Sequence, residues 1–325
     1  MTAWAALPKV ELHLHLEGAA PPEFIRQLAA EKGVDLSGIF RPDGGYAWSD
    51  FAEFLCTYEA ACTVLQSPDD YRRLTAAVLE RSAADGVVYT EIFVAPDLFG
   101  GGDPAAWPDY LAAVVAGAEE VPAVTTRLIA TAIRHFGSER AVEAARAAIT
   151  HPHPALTGFG MAGEERFGAP VDYARAFAIA SEAGLGLTVH AGEICGADSV
   201  AAALSLPVTR IGHGVRAIED AALVARLAER GTVLEVCPGS NIALGLFPDW
   251  PSHPVARLRA AGVPVTLSTD DPPYFHTTLA GEYDRLAAAF GWTAEDFAAI
   301  NRAAAAAAFC DAGTRARILS RLDQA

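Results

Sequence analysis

Imidazole and carboxylate side chains gather in four short stretches of this 325-residue chain. They are H-L-H-L-E-G (His13 to Gly18), T-V-H-A-G-E (Thr188 to Glu193), R-I-G-H-G (Arg210 to Gly214) and S-T-D-D-P-P (Ser268 to Pro273). His13 and His15 stand two residues apart, so on an extended strand they project from one face and can share a metal ion. A neutral imidazole suits zinc, and a catalytic zinc keeps one position open for water. Each stretch alone has a plainer reading: histidines hydrogen-bonded in a core, or an Asp-Asp pair in a turn or helix cap. Those readings leave one thing unexplained, which is that all four stretches close an apolar run. Together they can hold one divalent metal and activate water.

Something must bring residues so far apart in sequence to one place. Eight runs rich in β-branched and other apolar residues can be marked: Lys9–Glu17, Val87–Pro96, Thr125–Arg134, Ala155–Gly163, Leu185–Glu193, Thr209–Val215, Thr232–Asn241 and Val263–Pro272. Between them lie alanine-rich segments with helical spacing, such as Ala141–Ile149, Tyr173–Ala183, Asp220–Arg230 and Pro254–Ala261. The last two stop just before Gly231 and Gly262, as helices commonly do. Strand alternating with helix in this way predicts an α/β fold, a TIM-type (β/α)8 barrel whose C-terminal strand ends form the catalytic face. An open doubly wound sheet is the alternative, and it would scatter the four stretches along an edge. Extra helices are expected after strand 1, between Pro21 and Ala84, and at the C-terminus around Ala303–Ala308. Trp48, Phe51, Phe54, Leu55 and Tyr58 form an apolar stripe there, either core packing or a wall over the pocket. No boundary or repeat divides the chain, so residues 1–325 read as a single domain.

Composition narrows the partners. The net charge of −16 argues against nucleic acid, whose binders carry a basic footprint. No apolar run reaches membrane-spanning length, and Lys9 and Glu11 interrupt the place where a signal-peptide core would lie. Five cysteines, odd in number and without a C-x-x-C, suit reduced thiols and a cytoplasmic location. A small-molecule substrate fits all of this; oligomeric state is left open. His135, His253 and His276 have no partner at ligand spacing, and His151 and His153, in H-P-H-P, belong to a proline-rich loop expected to face solvent.

With these residues in place, the chain resembles the adenosine deaminase family of the amidohydrolase barrels. The resemblance runs from Leu7 to about Thr278 and rests on L-P-K-V-E-L-H-L-H-L-E-G, H-A-G-E, R-I-G-H-G, L-E-V-C-P-G-S-N and S-T-D-D-P in the family's order. It implies one Zn2+ per chain held by His13, His15, His190 and Asp270. It implies Glu193 as proton donor, and His213 as the histidine that orients the water, accepts from it and stabilises developing charge. Glu17, Asp271 and the backbone of Gly163 would meet a purine substrate, with His15 at the same wall. Zinc lowers the pKa of bound water toward ~7, which makes attack on carbon 6 of a 6-aminopurine feasible at neutral pH.

The resemblance points first to adenosine and deoxyadenosine, with adenine or a 5′-modified adenosine such as aminodeoxyfutalosine as the alternative. M-A-G-E-E after strand four is nearer the nucleoside type. Glu17 and Gly160 depart from it, since nucleoside enzymes usually carry Asp at both places, and Glu17 looks like the adenine-deaminating relatives. Two-metal amidohydrolases, the rival class, often use a bridging carbamylated lysine after strand four. The two lysines here, Lys9 and Lys32, lie elsewhere, although Glu164 and Glu165 follow that strand. A barrel kept only for binding would be expected to have lost a metal or proton-transfer position, and every one is filled.

Overall fold

The structure, a computed structural model describing residues 4–324, sets eight parallel strands side by side in sequence order. They are β1 (Lys9–His15), β2 (Val87–Val94), β3 (Thr125–Ile133), β4 (Leu156–Ala162), β5 (Gly186–Ala191), β6 (Arg210–His213), β7 (Val233–Val236) and β8 (Val265–Leu267). The first helices are α1 (Pro22–Lys32), α2 (Phe51–Cys62), α3 (Pro68–Ala84) and α4 (Trp107–Glu119). Next come α5 (Ser138–Thr150), α6 (Ala174–Glu182), α7 (Ala197–Ala203), α8 (Ala221–Arg230), α9 (Pro238–Ala243) and α10 (Val255–Ala260). Then follow α11 (Leu279–Phe290), α12 (Ala294–Ala307) and α13 (Ala312–Leu322). Strands walled by helices are buried on both faces, which is why they read as continuous apolar runs instead of alternating. The expected TIM-type barrel is what forms, with α1–α3 filling the long stretch after β1 and α11–α13 at the C-terminus.

Residue 270 closes the cylinder. The His15 N–H donates to the Asp270 carbonyl at 3.1 Å, and the Asp270 N–H donates to the His13 carbonyl at 3.2 Å. The last strand therefore meets the first through a residue that the sequence marks as a metal ligand.

Most strands stop short of expectation, β8 at Leu267 instead of Pro272 among them, and two of these ends move residues of the barrel mouth. β1 stops at His15, and Glu17 sits in a turn where the Ala19 N–H returns to the His15 carbonyl at 2.8 Å. The expected seventh run, Thr232–Asn241, breaks at Val236 because Pro238 cannot continue a central strand and instead occupies the first turn of α9. Ser240 and Asn241 thus enter the barrel mouth from a helix.

The aromatic stripe packs into the core. Asp50 caps α2 by accepting from the Glu53 N–H, Trp48 Nε1 donates to the Tyr274 carbonyl at 3.0 Å, and the Phe54 ring packs on Tyr274 and Phe275. At the opposite end the Phe309 ring plugs the barrel floor, 3.5 Å beneath the Arg210 guanidinium. Gly186 makes room for it: a Cβ there would lie 2.2 Å from the ring. No helix among the described residues is long and apolar enough to cross a membrane.

Candidate active site

A line of buried charge climbs the barrel interior to the first histidine. Tyr89 and the Phe309 N–H donate to Glu91, whose other oxygen pairs with Arg210 at 2.6 Å. Arg210 Nε donates to Glu235 at 2.5 Å, and Thr188 donates to the same oxygen at 2.9 Å. The remaining Glu235 oxygen lies 2.8 Å from His13 Nδ1. Glu235 is an acceptor, so His13 carries its proton on Nδ1 and turns the Nε2 lone pair into the mouth of the barrel.

There His13 Nε2 finds no hydrogen-bond donor. It faces Asp270 Oδ1 at 3.4 Å; His15 Nε2 faces the same oxygen at 3.2 Å and lies 3.2 Å from His190 Nε2. The Phe93 ring stacks on His15 at 4.9 Å between centroids. Asp270 Oδ2 accepts from Ser240 at 2.7 Å. One ligand atom from each of His13, His190, His213 and Asp270 falls within 4.8 Å of the others. The sequence-derived ligands therefore converge, and His213 stands among them.

The electrostatics leave a place for one cation. Burial lowers the pKa of His15, His190 and His213, the last to about 3, so these rings are in the neutral form that ligates metal. Burial also opposes charge on His13, but Asp270 and Glu235 outweigh it and push its pKa up to about 9. Positive charge is wanted opposite Asp270, and a metal ion supplies it with better geometry than a proton. Asp270 is held well below the usual carboxylate range: burial raises it, but His13 and His15 outweigh that. The donor set, three imidazoles and a carboxylate around an unpartnered nitrogen, fits a zinc-class ion.

Glu193 lies beside this cluster, with Oε2 3.6 Å from His213 Nε2. Burial, then the charges of Asp270 and Glu165, holds its carboxyl well above the usual range, which favours the protonated form. Its backbone is fixed by Glu165, a residue the sequence offered only as a bridging carboxylate. Glu165 instead accepts from four consecutive N–H groups, those of Gly192, Glu193, Ile194 and Cys195, at 2.6 to 3.2 Å. Ser199 adds a fifth donor at 2.5 Å, which leaves Glu165 occupied as an anchor. Arg134, fully buried, ties the Glu165 and His190 carbonyls together at 3.0 and 3.1 Å.

The substrate-facing set assembles on the other side. Asp271 packs directly on Gly18, where a Cβ would lie 1.5 Å from Oδ1, and that oxygen has no partner. Burial, with Asp270 and Glu193 nearby, keeps the Asp271 carboxyl well above its usual range. Glu17 is 3% exposed, also with an unpartnered oxygen, and burial pushes its pKa up to about 7. Gly163 follows β4 with φ +96°, against His135. Of the remaining histidines, His151 is exposed, His153 accepts from the Ala155 N–H, and His276 pairs with Arg41 at the surface. His253 is different: it is buried on Asn241 at 3.1 Å.

The fold and this site define a hydrolase barrel of the amidohydrolase type with a cluster that could hold a metal ion. The family model described as adenosine deaminase matches residues 8–325, and the chain belongs to that family. It is a hydrolase acting on carbon–nitrogen bonds. The chain is 53% identical over 321 residues to adenine deaminase of Rhizobium rhizogenes strain K84, covering 97% of this chain and 99% of that one. Adenine deaminase of Agrobacterium fabrum strain C58 is 52% identical, over 98% and 99% of the two chains. Among solved structures, adenine deaminase from Arthrobacter aurescens superposes with a TM-score of 0.87 at 30% identity, covering 98% and 99%. An amidohydrolase from Burkholderia ambifaria with bound Zn gives 0.86 at 26% identity, covering 100% and 94%.

Glu235→Gln tests the buried line. It keeps the shape but removes the charge that fixes the His13 ring, so metal affinity should fall by about 10–100-fold. Competition against a calibrated chelator measures this, and unchanged affinity would show that His13 is oriented by other means.

Proposed function

We propose that this chain deaminates free adenine by hydrolysis, giving hypoxanthine and ammonia, with one zinc ion at the cluster of His13, His15, His190 and Asp270. Adenosine was the leading expectation from sequence. The relatives favour its alternative, since those about half identical along nearly the whole chain are adenine deaminases.

Glu17 is the observation of this chain that carries the choice. A free base offers an N9–H donor beside the N3 acceptor; a nucleoside carries its sugar at N9 and has no donor there. A carboxyl whose pKa is pushed up to about 7 by burial can accept from that N9–H. The side chain of Tyr71, and those of Tyr58 and Cys62 on α2, lie within electrostatic reach of it. An oxygen left unpaired in a buried site costs ~1–3 kcal/mol, and a matched ligand recovers it.

The other residues then take complementary places around the ring. The protonated Asp271 carboxyl donates to N7, and the Gly163 N–H meets N3 from the β4 end. Glu193 gives its proton to N1 as carbon 6 becomes tetrahedral. A bound zinc would supply the activation of water and, by its charge, the stabilisation of the attacking oxygen. Glu165 and Arg134 hold Glu193 and His190 in register while this happens.

Substrate choice is measured by kcat/KM on the zinc-loaded protein. Adenine should exceed adenosine by about 10⁴-fold or more, the scale of discrimination when a site built to bond a group loses it. Comparable turnover of adenosine would return the chain to the nucleoside class. Glu193→Gln should lower kcat by about 100-fold or more while metal content holds, because the amide cannot deliver the proton. Normal turnover by that variant would remove Glu193 from the proton path.

A further inference from the structure

Behind His213 lie two residues to which the sequence assigned no role, Asn241 and His253, both buried. They form a line that starts from a group with no freedom. The Val255 backbone N–H can only donate, and it donates to His253 Nδ1 at 3.2 Å. That nitrogen therefore bears a lone pair. Burial pushes the His253 pKa down to about 3, so the ring holds one proton, on Nε2. Nε2 lies 3.1 Å from Asn241 Oδ1 and donates to it. The amide orientation is now settled, and its NH₂ group faces His213 Nδ1 at 3.5 Å. An amide NH₂ has only protons to offer, so His213 Nδ1 must present its lone pair.

We infer that His253 and Asn241 fix the tautomer of His213, holding its single proton on Nε2 and aiming that N–H into the pocket. Nε2 stands 3.6 Å from Glu193 Oε2 and 4.0 Å from Asp270 Oδ2. Two consequences follow for the site. A nitrogen that carries a proton has no lone pair for a cation, so His213 does not ligate, although it lies within the 4.8 Å cluster. His15, whose Nε2 faces both Asp270 and His190, completes the ligand set. The same N–H cannot take a proton from water; it donates to the oxygen that attacks the ring, and that bond strengthens as negative charge develops. The accepting role expected from sequence gives way to the charge-stabilising one. This second consequence rests on the deaminase reading, whereas the tautomer rests on hydrogen bonds alone. His253 and Asn241 are positioning residues that act through His213.

The test uses the full zinc-loaded chain with ¹⁵N-labelled histidine and two-bond ¹H–¹⁵N correlations, in which protonated and bare ring nitrogens resonate far apart. His213 and His253 should each show a protonated Nε2 and a bare Nδ1. Asn241→Asp replaces the donor by an acceptor, so the His213 proton should move to Nδ1. Its kcat for adenine should fall on the order of 10²–10⁴-fold, the scale of a misplaced imidazole proton, with KM much less affected. His253→Phe keeps a ring against Phe247, now 5.1 Å away, but cannot donate. It should give mixed His213 signals and an intermediate loss of kcat, which keeps the test alive if Asn241→Asp does not fold. A protonated Nδ1 on His213 in the unsubstituted protein would overturn the tautomer. Asn241→Asp with the proton moved and kcat undiminished would overturn the donor role. A chain inert toward adenine that shows the Nε2 proton would sink the substrate reading and support this one.

Discussion

Arg210 carries a full positive charge in the middle of the barrel with no surface exposed to water. Such a group is tolerable only between its two carboxylates, and breaking a buried pair of this kind typically costs about 3–5 kcal/mol. Glu91 comes from β2, Arg210 from β6 and Glu235 from β7, so these strands must be in register before the charges can meet. Glu235 then spends its free oxygen on His13 of β1. The floor of the barrel and the catalytic mouth are thus one electrostatic object. With the imidazoles neutral, its carboxylates, Asp270 included, outnumber its one guanidinium by two charges. A divalent cation balances that excess, which accounts for the pull toward positive charge at His13.

The same economy governs the backbone. His213 and Asp270 both adopt positive φ, 58° and 67°, conformations that L-residues avoid unless their surroundings enforce them. Asp270 is enforced by its two hydrogen bonds to β1, which also close the barrel. His213 is held by its pairing opposite Ala191 and by the Gly214 N–H, which donates to the Ala191 carbonyl at 3.0 Å. A Cβ at Gly212 would come 2.8 Å from His13, so glycine there is what lets β6 approach that histidine. Strain sits where barrel closure and the buried cluster coincide.

These couplings explain what the sequence disclosed and what it withheld. The alternation of apolar runs and alanine-rich helices was sufficient for the barrel, and the H-x-H, H-A-G-E and D-D spacings marked residues that the fold brings together, because each is a local pattern. Glu91, Arg210 and Glu235 were not read, although a charge inside a β-branched run is the mark of a polar barrel interior. Glu165 was noticed for its position after β4, but its role depends on the loop of another strand folding around it. Ser240 and Asn241 were hidden by treating C-P-G-S-N as strand, when Pro238 signals a helix start. His253 offered no signal of its own, since its partner is Asn241, brought close only by the fold.

Anomalous diffraction from crystals of the zinc-loaded chain, collected at the zinc edge, tests this account most directly. It requires a single peak per chain, with Nε2 of His13, His15 and His190 and the Asp270 carboxylate at about 2.0–2.2 Å. The His213 ring should stand outside bonding distance, with Nδ1 toward Asn241. Two peaks per chain, or one peak bonded to His213 in place of His15, would contradict it.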